Sequence, residues 1–281
     1  MSNKILVLGG TGTIGSKVVA GLIARGAAVR VASRKGADAA IAGAETVRFD
    51  YSDPSTFAAA LDGVGALFAV VPAGQLDPHG LLMPVLQAAA ARGVKLVVQT
   101  VIGADADPSS PYGRIEAFLK QSGTPFVILR PNWFTDNFLT YWGAGIKAGV
   151  IAVPAGDGKT SFIDTRDIAA SAVTALTTSA FDGQAFNLTG AEALGYGDAA
   201  AIIAKAIGKP VAYLPVTGAA FVDSLVGHGV PRPYAEFLAF IFTFVAAGYT
   251  AGITDAVETL TGRKPIPVAD WVEANKAALA G

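Results

Sequence analysis

The chain contains no cysteine and only two histidines among its 281 residues. Without thiols there can be no disulfide, no thiolate nucleophile and no cysteine-ligated zinc site. His79 and His228 are far apart in the sequence. We therefore expect neither a histidine-based metal site nor a catalytic triad, and no metal cofactor.

Charged side chains are also scarce, at 15% of the chain, and the formal net charge is −1. A nearly neutral protein lacks the positive surface that nucleic acid or an anionic membrane would attract, so neither is an expected partner. The longest apolar stretch, Phe237 to Ala247, is too short to cross a bilayer. The first residues are typical of a buried strand and not of a signal peptide. These features predict a soluble, cytoplasmic protein.

Glycine, in contrast, is abundant, and several glycines lie close together near the start of the chain. Four apolar residues, Ile5 to Leu8, precede a turn with glycines at every third position, and an apolar helical pattern follows. Strand, glycine turn and helix together are the context of a dinucleotide site, in which the helix N-terminus faces the phosphates. The predicted cofactor-binding residues of this turn are Gly9, Thr11, Gly12, Thr13, Ile14 and Gly15.

Each glycine has a separate predicted role. Gly9 would let the chain turn sharply, Gly12 would let the backbone approach a pyrophosphate, and Gly15 would let the helix pack against the strand. The spacing differs from the better-known Gly-x-Gly-x-x-Gly. The alternative is a turn that merely joins strand to helix.

The residues after the second predicted strand indicate which dinucleotide is bound. NAD-specific sites usually place an acidic residue there to hold the ribose 2′-hydroxyl, but here the strand ends in Ser33-Arg34-Lys35. A charge-assisted bond to a 2′-phosphate contributes about 1.5–3 kcal/mol, or roughly 10- to 100-fold in preference. Arg34 and Lys35 therefore predict NADP(H), with NAD less favoured, unless they are simply two solvated surface cations.

Strand and helix patterns alternate from residue 4 to residue 131, which predicts an α/β fold with a doubly wound parallel sheet of the Rossmann type. Ligands of such sheets bind at the carboxyl ends of the strands. Asp50, Val71, Pro72 and Thr100 lie at those ends and are predicted to contact the cofactor. We expect a Rossmann domain over 1–150, with 160–190 returning to it, and a smaller, mostly helical substrate lobe over 191–281.

An aromatic and amide-rich segment, 132–138, follows the sixth predicted strand. Its position favours a ligand-binding role, although a hydrophobic linker to the next helix would have the same composition. The strongly apolar helix over 237–247 is expected to be buried in the core, or else to cover a pocket or meet a partner subunit. Both a monomer and a homodimer remain open.

Taken together, these segments resemble the atypical short-chain dehydrogenases of the NmrA-like group, which includes NAD(P)H-dependent quinone oxidoreductases, triphenylmethane reductase and the ergot-alkaloid dehydrogenases. The resemblance covers almost the whole chain. It is carried by the glycine turn, Arg34, Gly156 to Lys159, Leu129 to Phe138, Thr254 to Pro265 and Trp271 to Lys276. It implies NADP(H) in the Rossmann lobe and a substrate cleft under the C-terminal helices.

The chain departs from the wider family at the proton relay Tyr-x-x-x-Lys. Glu116 stands four residues after Tyr112, where a carboxylate neighbour on a helix would raise the pKa of the phenol. Tyr112 and Asn132 are therefore only weak catalytic candidates. An enzyme without the relay needs an acceptor that is already electrophilic, such as a quinone, an azo dye, a cationic triarylmethane or an iminium ion.

We expect a flat, apolar or aromatic small-molecule substrate, held by aromatic walls and side-chain amides. The predicted substrate-binding residues are Trp133, Phe134, Asn137, Phe138 and Phe240. Two alternatives stay open: a non-catalytic NADP(H) sensor that regulates a protein partner, and an iminium reductase like the ergot enzymes.

Overall fold

The computed structural model describes residues 4–36, 41–72 and 74–281, and the chain divides into two compact units. The first unit comprises the chain up to Pro131 together with Thr165–Leu188 and Thr259–Gly262. The second comprises Asn132–Asp164, Thr189–Glu258 and Arg263–Gly281. The division falls at 131/132 and not near residue 150, because aromatic residues of 133–162 pack with the later segments in a common core.

The first unit is built on a seven-stranded sheet in which every neighbouring pair is parallel, in the order β3-β2-β1-β4-β5-β6-β9. Its strands are β1 (Lys4–Val7), β2 (Val29–Ser33), β3 (Glu45–Arg48), β4 (Val64–Ala69), β5 (Lys95–Gln99), β6 (Phe126–Pro131) and β9 (Gln184–Leu188). The central strands are almost wholly buried, as expected for a parallel sheet covered on both faces. This architecture confirms the predicted Rossmann-type fold.

The helices of the first unit are α1 (Gly15–Ala24), α2 (Phe57–Ala60), α3 (Pro78–Ala90), α4 (Pro111–Gln121) and α6 (Thr165–Thr177). Helices α3 and α4 share one core cluster with alternate residues of the central strands, such as Leu6 and Leu96. Helices α1 and α6 pack so closely that a Cβ built on Gly21 would lie 2.9 Å from Val173. These contacts fix the strand ends that carry the candidate site.

The second unit is mostly helical and contains two small two-stranded sheets. Its helices are α5 (Gly143–Lys147), α7 (Tyr196–Ile207), α8 (Gly218–Gly227), α9 (Arg232–Ala246) and α11 (Val268–Ala280), and α10 (Ala256–Thr261) crosses the division between the units. Strand β11 (Ala212–Pro215) pairs in parallel with β7 (Val150–Val153), and β10 (Leu194–Gly195) pairs antiparallel with β8 (Lys159–Thr160). The sequence did not predict β11.

Aromatic rings form the core of the second unit. Phe138 is fully buried, and its ring lies 5.1 Å from the rings of both Trp142 and Phe162. Tyr196 and Phe242 belong to the same cluster. The prediction that Phe138 contacts substrate is therefore wrong: its side chain is enclosed by neighbouring rings and serves the core.

Helix α9 is only half buried, contrary to the expectation of core burial. One stripe, made of Ala235, Leu238, Phe242 and Val245, faces the core. Phe237, Phe240 and Phe244 lie on the exposed side, because a 3.6-residue period can direct only one stripe inward. Within the described part of the chain, no helix is both long and apolar enough to cross a bilayer.

The two sides of α9 offer a matched test of this packing. Replacing buried Phe242 by alanine should lower the free energy of unfolding by about 3–5 kcal/mol, because a large cavity is left among the rings. Replacing Phe240, which is 57% exposed, should change it by no more than about 0.5 kcal/mol. Equal losses in urea unfolding would contradict the burial described here.

Candidate functional site

The glycine turn lies at the carboxyl end of β1 and is tightly closed. Gly9 has a φ of +67°, a left-handed conformation that favours glycine. The Gly12 N–H donates to the Gly9 carbonyl over 2.9 Å. A Cβ built on Gly15 would lie only 2.1 Å from the same carbonyl oxygen. Glycine is thus required at both ends of the turn for α1 to begin directly over the strand.

Within the part of the chain that the structure describes, the turn has backbone donors without a partner, two of them, Thr11 and Thr13, in exposed residues and one in buried Ile14. Thr11, Gly12 and Thr13 are exposed. Among the described residues, the N–H groups of Thr11, Thr13 and Ile14 make no hydrogen bond, and no side chain caps the start of α1. Unpaired N–H groups at the positive end of a helix dipole form a natural anion site. The arrangement fits the pyrophosphate of a dinucleotide.

Sequence reasoning missed two contacts that hold the turn against the sheet. A Cβ built on Gly10 would lie 2.7 Å from Val31 of β2. A Cβ on Gly9 would lie 3.0 Å from Val70, directly after β4. The pair Gly9-Gly10 was the available signal, since two adjacent glycines suggest close approach on more than one side.

Cations gather beyond the carboxyl ends of β2 and β3. Arg34 and Lys35 are exposed, and Arg48, paired with Ser33 across the strands, adds a third cation that sequence reasoning missed. Hydrogen bonds from the Ser52 hydroxyl and N–H hold the pKa of the Asp50 carboxyl below its ordinary value, and the charges of Arg34 and Arg48 lower it further. Asp50 is thus occupied by its own turn, while the cations remain available to an anion.

The carboxyl ends of β4 and β5 present mainly apolar groups. Val71 is half-buried and Pro72 is exposed, so both are accessible as predicted contacts. The hydroxyl of Tyr51 donates to the Val70 carbonyl over 2.9 Å. Val101, which follows β5, is 40% exposed and was not singled out from the sequence.

Thr100 does not offer its side chain to a ligand. It is 1% exposed, and its hydroxyl donates to Glu116 over 2.9 Å. The prediction that Thr100 contacts the cofactor therefore fails for its hydroxyl. The residue joins β5 to α4 instead.

Glu116 faces Arg130 and is enclosed in the first unit. Its two carboxylate oxygens accept from Nε and Nη2 of Arg130 at 2.8 Å and 2.6 Å. Glu116 is 1% and Arg130 6% exposed. Hydrogen bonds to Glu116 raise the pKa of the Arg130 guanidinium. The carboxylate expected to act on Tyr112 is thus neutralised by a fork-like ion pair, and Tyr112 itself is half-buried one helical turn earlier on α4.

Asn132 is not placed for catalysis. Its Nδ2 donates to the Ser161 hydroxyl over 2.7 Å and to the Thr250 carbonyl over 2.8 Å, and its Oδ1 accepts from the Trp133 N–H. The side chain is 2% exposed. Asn132 therefore fixes the backbone of the second unit, which corrects its assignment as a catalytic candidate.

Three other predicted substrate residues remain accessible in the second unit. Trp133 is half-buried, with its ring 4.9 Å from Phe242 and 6.0 Å from Trp142. Phe134 is half-buried, and Phe240 is exposed with its ring 5.2 Å from Phe244. These rings provide flat apolar surface.

Asn137 differs from Asn132 in having a free side chain. It is 8% exposed, and in the described ranges its amide makes no hydrogen bond, although its backbone bonds to Phe134 and Trp142. A buried amide without partners has donors and an acceptor to spare. It can therefore bind a polar atom of a ligand. No trio of acidic or histidine side chains suited to a metal occurs among the residues described.

The chain matches the NmrA-like family over residues 1–271. The chain belongs to that family. The NAD(P)H azoreductase of Xenophilus azovorans is 36% identical to this NmrA-like protein, over 98% of both chains. Agroclavine dehydrogenase of Claviceps fusiformis is 30% identical, over 81% of this chain and 82% of its own.

A solved structure extends the likeness to three dimensions. The NADPH-dependent quinone oxidoreductase QOR2 of Escherichia coli, complexed with NADPH, superposes on this NmrA-like protein with a TM-score of 0.85. It is 27% identical, and the match covers 96% of this chain and 99% of that one. The family predicted from the sequence motifs is confirmed.

The closed glycine turn gives a direct test of cofactor binding. In Gly15→Ala the new methyl group meets the Gly9 carbonyl, so the turn must open, and we expect NADPH affinity to fall by about tenfold or more, roughly 1.4 kcal/mol. Gly197→Ala is the control, because Gly197 is exposed in α7 and a Cβ there meets nothing within 4 Å. Fluorescence titration of both variants measures the effect. Equal affinities would mean that the turn does not carry the cofactor.

Proposed function

We propose that this protein is an NADPH-dependent reductase that transfers hydride to a conjugated, electrophilic acceptor, with quinones as the best-supported class. The observation that carries the proposal is the glycine turn with its open N–H groups. The enzyme is an NAD(P)H-dependent oxidoreductase, in keeping with its relatives. The choice of acceptor rests on the side chains of the two units.

The first unit fits NADPH in charge as well as in shape. The turn 9–15 would hold the pyrophosphate, and Arg34, Lys35 and Arg48 would attract the 2′-phosphate. Asp50, which lies two residues after Arg48, already accepts two hydrogen bonds from Ser52. It is therefore poorly suited to the 2′-hydroxyl role that acidic residues take in NAD sites.

The absence of a tyrosine–lysine relay limits the class of acceptor that the enzyme could reduce. Bound NADPH would supply a hydride, and a quinone that takes up this hydride and one proton becomes a hydroquinone. The lysine position holds Glu116, whose carboxylate is closed off by Arg130. The proton would therefore come from water, and the protein would accelerate the reaction chiefly by positioning, which can remove several kcal/mol of the barrier.

The second unit would bind the acceptor. Trp133, Phe134 and Phe240 supply apolar ring surface, and the unpaired amide of Asn137 can donate to a carbonyl oxygen. A flat ring with a polar oxygen matches this set better than an aliphatic ketone does. The azoreductase relative is consistent with a conjugated acceptor.

Two other functions would give different results in the assay described below. The agroclavine dehydrogenase relative favours an iminium acceptor, which also needs no proton donor at the reacting carbon. A regulatory NADP(H) sensor would use the same first unit. The free Asn137 amide and the exposed rings favour an enzyme over a sensor, because a sensor needs no substrate-binding surface.

The function is tested by mixing the protein with NADPH and separate acceptors and following the nicotinamide absorbance. We expect turnover with benzoquinones and naphthoquinones. Faster turnover with a cyclic iminium or an azo dye would reassign the acceptor. Tight NADPH binding with no turnover on any acceptor would contradict the enzyme and support the sensor.

Cofactor preference is tested with Arg34→Ala. The variant should raise the KM for NADPH by about 10- to 100-fold, because a charge-assisted bond to the 2′-phosphate is lost. The KM for NADH should stay within about twofold, since NADH has no such phosphate. Arg92→Ala, which removes an exposed cation at the end of α3, is the control. An equal rise for both cofactors would show that Arg34 does not read the 2′-phosphate.

A further inference from the structure

Arg130 makes an unusually complete set of side-chain bonds at the carboxyl edge of the sheet. Besides its two bonds to Glu116, Nη1 donates to Asp105 over 2.9 Å and to Asn187 over 3.3 Å. Glu116 in turn accepts from Thr100. One buried guanidinium thereby organises a five-residue cluster, defined here as the edge network: Thr100, Asp105, Glu116, Arg130 and Asn187.

The members of the edge network come from separate elements that meet at one place. Arg130 and Asn187 are paired across β6 and β9. Thr100 directly follows β5, and Asp105 lies in the 3₁₀ turn after it. Glu116 is in the middle of α4, one turn beyond Tyr112. The network therefore fixes the ends of three adjacent strands and one helix relative to each other.

A buried pair of this kind is not explained by stability alone. Desolvation of two charges offsets much of their attraction, so apolar side chains of similar volume would often serve a fold equally well. Ion pairs hold a defined geometry, however, since the guanidinium fork bonds a carboxylate in one plane. What the network provides is a fixed arrangement of the sheet edge at which ligands of parallel α/β sheets bind.

We propose that the Glu116–Arg130 pair is a positioning device that fixes the sheet edge against which the nicotinamide half of the cofactor lies. This rests on the proposed function. Glu116 occupies the place of the relay lysine and acts through Arg130 and Thr100, without touching the reacting atoms. The pyrophosphate and the 2′-phosphate would be held elsewhere, by the turn after β1 and the cations after β2 and β3, so we expect the network to affect one half of the cofactor only.

The proposal is tested by comparing two ligands on two arginine variants. One ligand is NADPH, and the other is 2′-phospho-ADP-ribose, which lacks the nicotinamide. Arg130→Lys keeps the charge but loses the fork. The control is Arg30→Lys in β2, because Arg30 is also 6% exposed, pairs with Glu45 and donates to three backbone carbonyls. It lies near the start of β2, away from the carboxyl ends of the strands.

In Arg130→Lys we expect NADPH affinity to fall by about tenfold. We expect kcat to fall by about 10- to 100-fold, because a small misplacement of a reacting group lowers the rate by a factor of this size. The affinity for 2′-phospho-ADP-ribose should stay within about twofold, and Glu116→Gln should shift the NADPH affinity in the same direction. Arg30→Lys should lower the melting temperature but change neither affinity. A merely structural role would not separate the two ligands.

Equal losses for both ligands in Arg130→Lys, or no loss for either, would overturn the proposal. A selective loss of NADPH in Arg30→Lys would overturn it as well. If Arg130→Lys does not fold, Asn187→Leu removes one bond to the same guanidinium and must show the same selectivity in milder form. The ratio of the two affinities needs no turnover, so it is independent of whether quinones are the acceptors. Failure of the unaltered protein to bind NADPH would instead overturn the proposed function.

Discussion

The close approach of Gly15 to the carbonyl oxygen of Gly9 is the constraint on which the candidate site depends. A side chain at residue 15 would collide with that oxygen, so α1 can begin directly above the end of β1 only with glycine there. Because the helix starts at this point, the N–H groups of Thr11, Thr13 and Ile14 have no partner within the helix. The anion site is thus a consequence of backbone packing, and it precedes any choice of cofactor or acceptor.

The cationic side chains of the first unit fall into two groups, one exposed and one buried, with different roles. The cations after β2 and β3 are exposed, where they can attract a phosphate at little cost to the fold. Arg130 is buried and bonded on all sides, where it can hold structure but cannot reach a ligand. Glu116 occupies the position of the relay lysine, four residues after Tyr112, so α4 lacks the tyrosine–lysine pair of the wider family. In the proposed reaction, positioning and the electrophilicity of the acceptor take the place of acid catalysis.

Strand–helix alternation was sufficient to predict the fold of the first unit, because parallel strands are buried on both faces and their apolar runs are unmistakable. Strand β11 was missed since it is short, largely exposed and ends in proline. Helix α9 appeared apolar all round, and only packing determines which stripe is buried. Arg48 was missed because its proximity to Arg34 depends on strand register, not on sequence distance.

The side chains after β6 show more clearly that residue type alone does not predict the contacts of a side chain. Asn132 and Asn137 are alike in the sequence, but their side chains differ in the structure. The Asn132 amide makes three hydrogen bonds, whereas the Asn137 amide makes none among the residues described. Phe134 and Phe138 are equally aromatic, yet only Phe138 is enclosed by other rings. Residue type predicted that this segment holds polar and aromatic groups, whereas the direction of each side chain follows from tertiary contacts. Thr100 was misassigned for the same reason.

In the proposed reaction, hydride transfer to the acceptor precedes any proton transfer, so no proton donor of the enzyme takes part in that step. The most direct test is the rate of NADPH oxidation by a benzoquinone in a single turnover, measured in H₂O and in D₂O, with NADPH deuterated at C4 to verify that hydride transfer is observed. We expect a slower reaction with the deuterated cofactor and the same rate in both solvents. A marked slowing in D₂O would mean that a proton moves in the same step as the hydride, and would contradict this order of transfer.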